Sequence, residues 1–150
     1  MATNKKPRKA YKPKRKVGNL LGYMAKIDPA VVEEDLISYE IAFGSILRGE
    51  GTIRDSDMIT GAMNACAVLC LQHNWLEHYD TAVAGQNAQR AMTDRVRAGK
   101  QVLYTGPEMQ QIKDALALYE QQVPLMTPKD MANAATLVGQ TLVKRKQKFR

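Results

Sequence analysis

Cysteine, histidine and glutamate recur on one helical stripe in CAVLCLQHNWLEHY, where Cys66, Cys70, His73 and Glu77 stand at i, i+4, i+7 and i+11. Zinc prefers these ligand types, so a metal centre is the first chemistry to weigh. A single ion bridges neighbouring turns, however, and each turn advances about 5.4 Å along the axis. Cys66 with Cys70, or Cys70 with His73, supplies two ligands, and the others must come from a different helix. His78, the second histidine, is predicted on the same helix. Two buried reduced thiols with a histidine at the core's edge are the better reading, and no metal or cofactor is expected. The same i, i+4 spacing aims the two cysteines poorly for a disulfide, which fits a reducing, cytosol-like compartment.

Other chemistry fares no better. HNWLEH resembles a metalloprotease helix only superficially, since that motif needs histidines four apart. His73 and His78 are five apart, about 140° around a helix of 3.6 residues per turn. No Gly-x-Ser-x-Gly elbow is present, and GEGTIRD (49–55) has glycines without the Gly-Lys-Ser/Thr that cradles phosphate. Glu33 and Glu34 are a solvated helix start rather than an acid–base pair. The chain is expected to be non-enzymatic.

The informative chemistry is electrostatic. The 150 residues carry 22 basic and 15 acidic side chains, a net +7. Residues 1–16 hold Lys5, Lys6, Arg8, Lys9, Lys12, Lys14, Arg15 and Lys16 with no acid, a charge of +8. Residues 144–150 hold Lys144, Arg145, Lys146, Lys148 and Arg150, a charge of +5. The 127 residues between them carry 9 basic and 15 acidic groups, a net −6. Such asymmetry marks interaction tails. Lysine and arginine attract phosphate and release condensed counterions, Tyr11 is placed to stack on an exposed base, and Phe149 is the aromatic of the second cluster. An acidic body repels the polyanion that its ends attract, so contact with DNA or RNA would be led by the tails. The arm lacks the Gly-Arg-Pro core of an AT-hook. Other uses of such tails are solubility, docking on an acidic partner and folding back on the chain's own acidic body. Arg90, Arg97 and Lys100, with Arg95 nearby, form a weaker third patch whose plainer reading is a solvated face.

The positioning elements follow from pattern. Residues 1–16, with Pro7 and Pro13, cannot bury enough apolar surface to offset ordering entropy and are expected to form a disordered arm. Val17–Ile27 is a transition whose apolar residues are placed to pack on the body. A helical bundle domain over 17–143 and a basic tail over 144–150 complete the chain.

The first helix is predicted from Asp28-Pro29, with Asp28 as N-cap and a stripe of Val32, Leu36, Tyr39, Phe43 and Leu47, ended by Gly49 and Gly51. The second, capped by Asp55 or Ser56, carries Ile59, Ala62, Cys66, Leu69, His73, Leu76 and Val83. Because ACAVLCL (65–71) is apolar on every side, this helix belongs at the centre. Gly85 is the expected site of a kink or break, and Gly99 a left-handed terminus. TGPE (105–108) matches a capping box and TPKD (127–130) is a close variant. They open helices with stripes Met109, Ile112, Leu116, Tyr119, Val123 and Met131, Ala134, Val138, Leu142. The expected fold is an all-α bundle of four to five helices. MTPKDMANAATLVG (126–139) opens like a helix-turn-helix, but Gly139 comes too late for its turn. No apolar run approaches the ~20 residues of a membrane span, and no signal peptide is evident.

The arm KPRKAYKPK and the passage RGEGTIRDSDMITGAMNACAV (48–68) resemble small uncharacterised proteins encoded by bacterial prophages and phages. That resemblance covers the arm and about half of the body. It implies a phage context and a bacterial cytoplasm, and it carries no catalytic or binding residue. The leading expectation is a phage-type accessory protein that binds nucleic acid through both basic ends, with the helical body as a rigid mount and a dimer face. The alternative is a helical module that binds or inhibits a host protein.

Overall fold

The computed structural model describes residues 26–148, with side chains to residue 140. Among the described residues five helices follow one another: α1 (Pro29–Leu47), α2 (Ile53–Gln72), α3 (Leu76–Arg97), α4 (Gly106–Gln122) and α5 (Pro128–Lys148), with a 3-10 turn at Val123–Leu125. No strand occurs among the described residues, so the expected all-α class holds. No described helix is long and apolar enough to cross a membrane.

Three helices start by one device. Thr52 with Asp55, Thr105 with Glu108 and Thr127 with Asp130 form reciprocal boxes at the starts of α2, α4 and α5. In each, the acid accepts the threonine N–H at 2.8–2.9 Å, using donors that a helix N-terminus would otherwise leave unpaired. The cap of α2 is therefore Thr52, one turn earlier than the Asp55 or Ser56 expected. Asp28 caps α1 as predicted, accepting from Ala30 N–H at 2.9 Å.

Three helices also end by one device. Gly49, Asn74 and Gly99 have φ of 75°, 57° and 83°, the left-handed region. At each, paired backbone bonds close a Schellman motif, as in Gly99 N–H to Val96 O and Lys100 N–H to Arg95 O, both 3.0 Å. The ends at Gly49 and Gly99 match expectation. The break inside 55–98 does not. It falls at Asn74, where Trp75 N–H reaches Cys70 O at 2.8 Å, and not at Gly85. Asn74→Val will cost about 1–2 kcal/mol, because a branched side chain is strained there, whereas Asn74→Gly will be neutral or better. Urea denaturation of both variants measures this.

Gly85 has a different purpose. It lies buried in an uninterrupted α3, where an added Cβ would stand 2.5 Å from Ala115 Cβ and 2.7 Å from Met63 Sδ. The missing side chain lets α3 pack closely on α4 and α2. Replacing a helical glycine by alanine ordinarily gains about 1 kcal/mol of propensity. Here overpacking costs about 1–3 kcal/mol, and the Ala115 Cβ is fixed to backbone and cannot swing away. Gly85→Ala will therefore lower the denaturation midpoint.

As predicted, α2 is central. It touches all four other helices and buries Ile59, Ala62, Met63, Cys66, Leu69 and Cys70 completely. The expected stripes are correct at their middles and wrong at several ends. Leu47, Leu76 and Met109 are exposed, while Ile46, Ala115 and Leu118 take core places. Two buried glutamines are held by polar networks. Gln89 donates to Ser56 O, Ser56 Oγ and Thr60 Oγ1 and accepts from Tyr104 hydroxyl at 2.7 Å. Gln122 donates to Cys66 O and Cys70 Sγ.

Candidate functional site

The basic arm, Lys5 to Lys16 with Tyr11, lies outside the described residues, as do Phe149 and Arg150. The C-terminal cluster is placed by its backbone alone. α5 continues as helix through Lys144, Arg145, Lys146 and Lys148, with no break at residue 143. Ala134 is the last described side chain of the core cluster. Ten residues of helix, about 15 Å at 1.5 Å per residue, separate it from Lys144.

The third patch dissolves on inspection. Arg95 donates to both Glu108 oxygens, at 2.5 and 2.6 Å, and to Leu103 O at 3.0 Å. It thereby fastens the end of α3 to the start of α4. The Arg95 guanidinium, aided by the Thr105 N–H, holds the buried Glu108 carboxyl below the ordinary range. Arg97 pairs with Asp94 at 3.5 Å. Lys100 lies beyond the Gly99 terminus, so it does not share a helical side with Arg90 and Arg97.

The cysteine–histidine stripe is divided by Asn74, which puts Glu77 and His78 on α3. Cys66 Sγ approaches Ala115 O at 3.7 Å and Cys70 Sγ accepts from Gln122 at 3.1 Å. Burial raises both thiols above their usual range, for Cys66 with further help from Cys70. They are protonated, enclosed side chains and suited neither to attack nor to ligation. His73 stacks on Trp75, with centroids 5.0 Å apart, and its Nε2 stands 3.5 Å from Asp130. Among the described residues, no three of histidine, cysteine, aspartate and glutamate are grouped to hold a metal ion.

One surface was invisible to sequence reasoning. α1 packs on α2 and on the 3-10 turn, leaving an open groove between α1 and α4. Tyr39 and Tyr119 meet edge to face at its floor, 5.6 Å between centroids. The groove consists of two adjoining hollows that share Leu36, Glu40 and Glu120. Phe43 and Leu116 line one, and Val32 and Ile37 the other. Of the apolar residues that α1 carries outside its buried stripe, Ile37, about half exposed, lines the groove.

Comparison with known proteins found no matching family model, no matching curated protein and no matching solved structure.

Proposed function

We propose that this chain is a non-enzymatic nucleic-acid-binding protein that grips the phosphate backbone with its two basic ends, while the acidic bundle serves as their mount. The observation that supports this reading most is the segregation of charge, +8 and +5 at the ends against −6 between them. Within the described body, Arg48, Arg95 and Arg97 are engaged by carboxylates, and the segment 17–143 as a whole is net negative. The helical backbone that continues under Lys144–Lys148 supports the second cluster, because the C-terminal end of a helix favours cations. A phage-type accessory role in a bacterial cytoplasm fits the arm's resemblance.

A second reading is favoured by one observation, the apolar groove between α1 and α4: a module that docks on a host protein. Capture from bacterial lysate with and without nuclease separates the two. Under the first reading, nuclease releases what the chain retains. A stoichiometric protein that survives nuclease, with no affinity for DNA or RNA, establishes the second.

A further inference from the structure

We propose that the groove between α1 and α4 docks an amphipathic helix of a partner protein, one whose apolar stripe carries an arginine or lysine at its middle. This rests on the second reading above and gives the partner a chemistry. The walls decide the occupant's backbone. Residue numbers rise along α1 from Val32 to Gly44 as they fall along α4 from Glu120 to Lys113, so the groove runs between antiparallel helices. That stretch of α1 is about 18 Å long, more than three helical turns. Both walls are helix interior, where backbone N–H and C=O groups are already bonded to each other. An extended peptide lying there would leave its own backbone groups unpaired. A helix bonds them internally and offers only side chains.

The charges decide the occupant's side chains. Glu40 and Glu120 line both hollows and therefore stand where the two meet, among Leu36, Leu116 and Tyr119. Neither forms an ion pair among the described residues. Lys113 lines only the hollow toward Gly44, and Lys26 only the hollow toward Asp28, so each cation stands toward one end. Lys113 precedes Glu120 by two helical turns, about 10 Å along α4. Across the lining, Asp28, Glu33, Glu40 and Glu120 outnumber these two lysines. A purely apolar occupant would strip water from the two central carboxylates and give nothing back, which is costly for any charge. An arginine at the middle of the stripe meets them, and its planar fork suits carboxylates. An acid about two turns away on the occupant answers Lys113.

A second copy of the chain fits less well. α1 carries Glu33, Glu34, Asp35 and Glu40 and no cation, so a twofold contact through this face would set like charges together.

A random library of displayed peptides, selected on the full chain, tests this without nucleic acid. Enriched peptides will share apolar residues at helical spacing with one arginine or lysine among them. As a free labelled peptide, the best of them will bind at least tenfold more weakly once that cation is changed to glutamine. The loss will be similar when the chain carries Glu40→Gln with Glu120→Gln, two exposed positions whose replacement spares the core. With glutamate in place of its cation, the peptide will prefer a chain bearing Glu40→Lys and Glu120→Lys to the parent. Peptides that depend on Ile37 but need no cation would overturn the charge assignment and leave docking on a protein standing. Failure to enrich any peptide sensitive to Ile37→Ser or to the glutamate variants would overturn both. A chain that sediments as a dimer until Ile37→Ser separates it would make a second copy the occupant. Peptides that bind only when the eight basic residues of 1–16 are replaced by glutamine would make the chain's own arm the occupant. Either result would overturn the proposal.

Discussion

Removal of residues 1–16 will flatten the salt dependence of nucleic-acid affinity by several units in the slope of log K against log salt. Each phosphate neutralised on a duplex contributes about 0.9 to that slope. The deleted segment carries eight cations and takes the chain from +7 to −1. If half of the eight engage phosphates, the slope loses about 3.6, which corresponds to orders of magnitude in affinity at low salt. Tyr11→Ala within the intact arm probes the other part of the contact. Stacking on a base is worth roughly 1–3 kcal/mol, so this variant will weaken single-strand binding and leave the salt slope unchanged. Those two results separate charge from stacking.

The largest effect on stability will come from Glu108→Ala, at about 2–3 kcal/mol. Glu108 caps α4 through the Thr105 N–H and receives both arms of the Arg95 fork, so one carboxylate closes a helix start and joins two helices. Breaking a buried pair from one side costs about 3–5 kcal/mol. Arg95 is 36% exposed at its side chain, and water replaces part of what it loses, which sets the lower figure. Glu108→Gln will fall between, because the amide oxygen still accepts from Thr105 but the charge is gone.

The pH dependence follows from the same contacts. Glu108, Asp55 and Asp130 all titrate below their ordinary values in the folded state. Arg95 is the main cause for Glu108, and the threonine backbone N–H for the two aspartates. A carboxyl with a lowered folded pKa adds stability that is present above its unfolded value, about 4, and is lost as pH falls through the folded value. Acid will therefore destabilise the bundle most steeply below about pH 4. The gap between the parent and Glu108→Gln will narrow over that interval, as followed by thermal melts from pH 7 to pH 2.

Much of the fold was legible because its signals are local. TGPE and TPKD each contain both partners of a capping box within four residues, and Gly49 and Gly99 mark their termini by the conformation they alone adopt cheaply. TIRD at 52–55 carries the same pattern as TPKD, but Asp55 and Ser56 compete with Thr52 as caps in the sequence. The break at Asn74 was missed for a physical reason. Glycine signals either a left-handed turn or a close approach, and pattern alone cannot tell which. Gly85 is the second kind, serving contact with Ala115 and Met63 from distant parts of the chain. The left-handed residue was the quieter Asn74.

The groove was illegible for a related reason. It is defined by what α1 and α4 fail to fill between them, which depends on how both lie against α2. The charge segregation could be read in full, because a charge count requires no tertiary information. The Arg95–Glu108 staple could not, since Arg95 read as a member of a surface patch until α4 brought its partner into reach.

The central claim is that the ends, and not the body, hold phosphate. Its most direct test is fluorescence anisotropy of labelled duplex and single-stranded oligonucleotides against the full chain and a full-length variant, from 50 to 300 mM salt. The variant has the eight basic residues of 1–16 and the five of 144–150 replaced by glutamine. The account predicts tight, steeply salt-dependent binding by the parent chain and none by the variant at any salt concentration. Equal affinity and an equal slope for the two would contradict it.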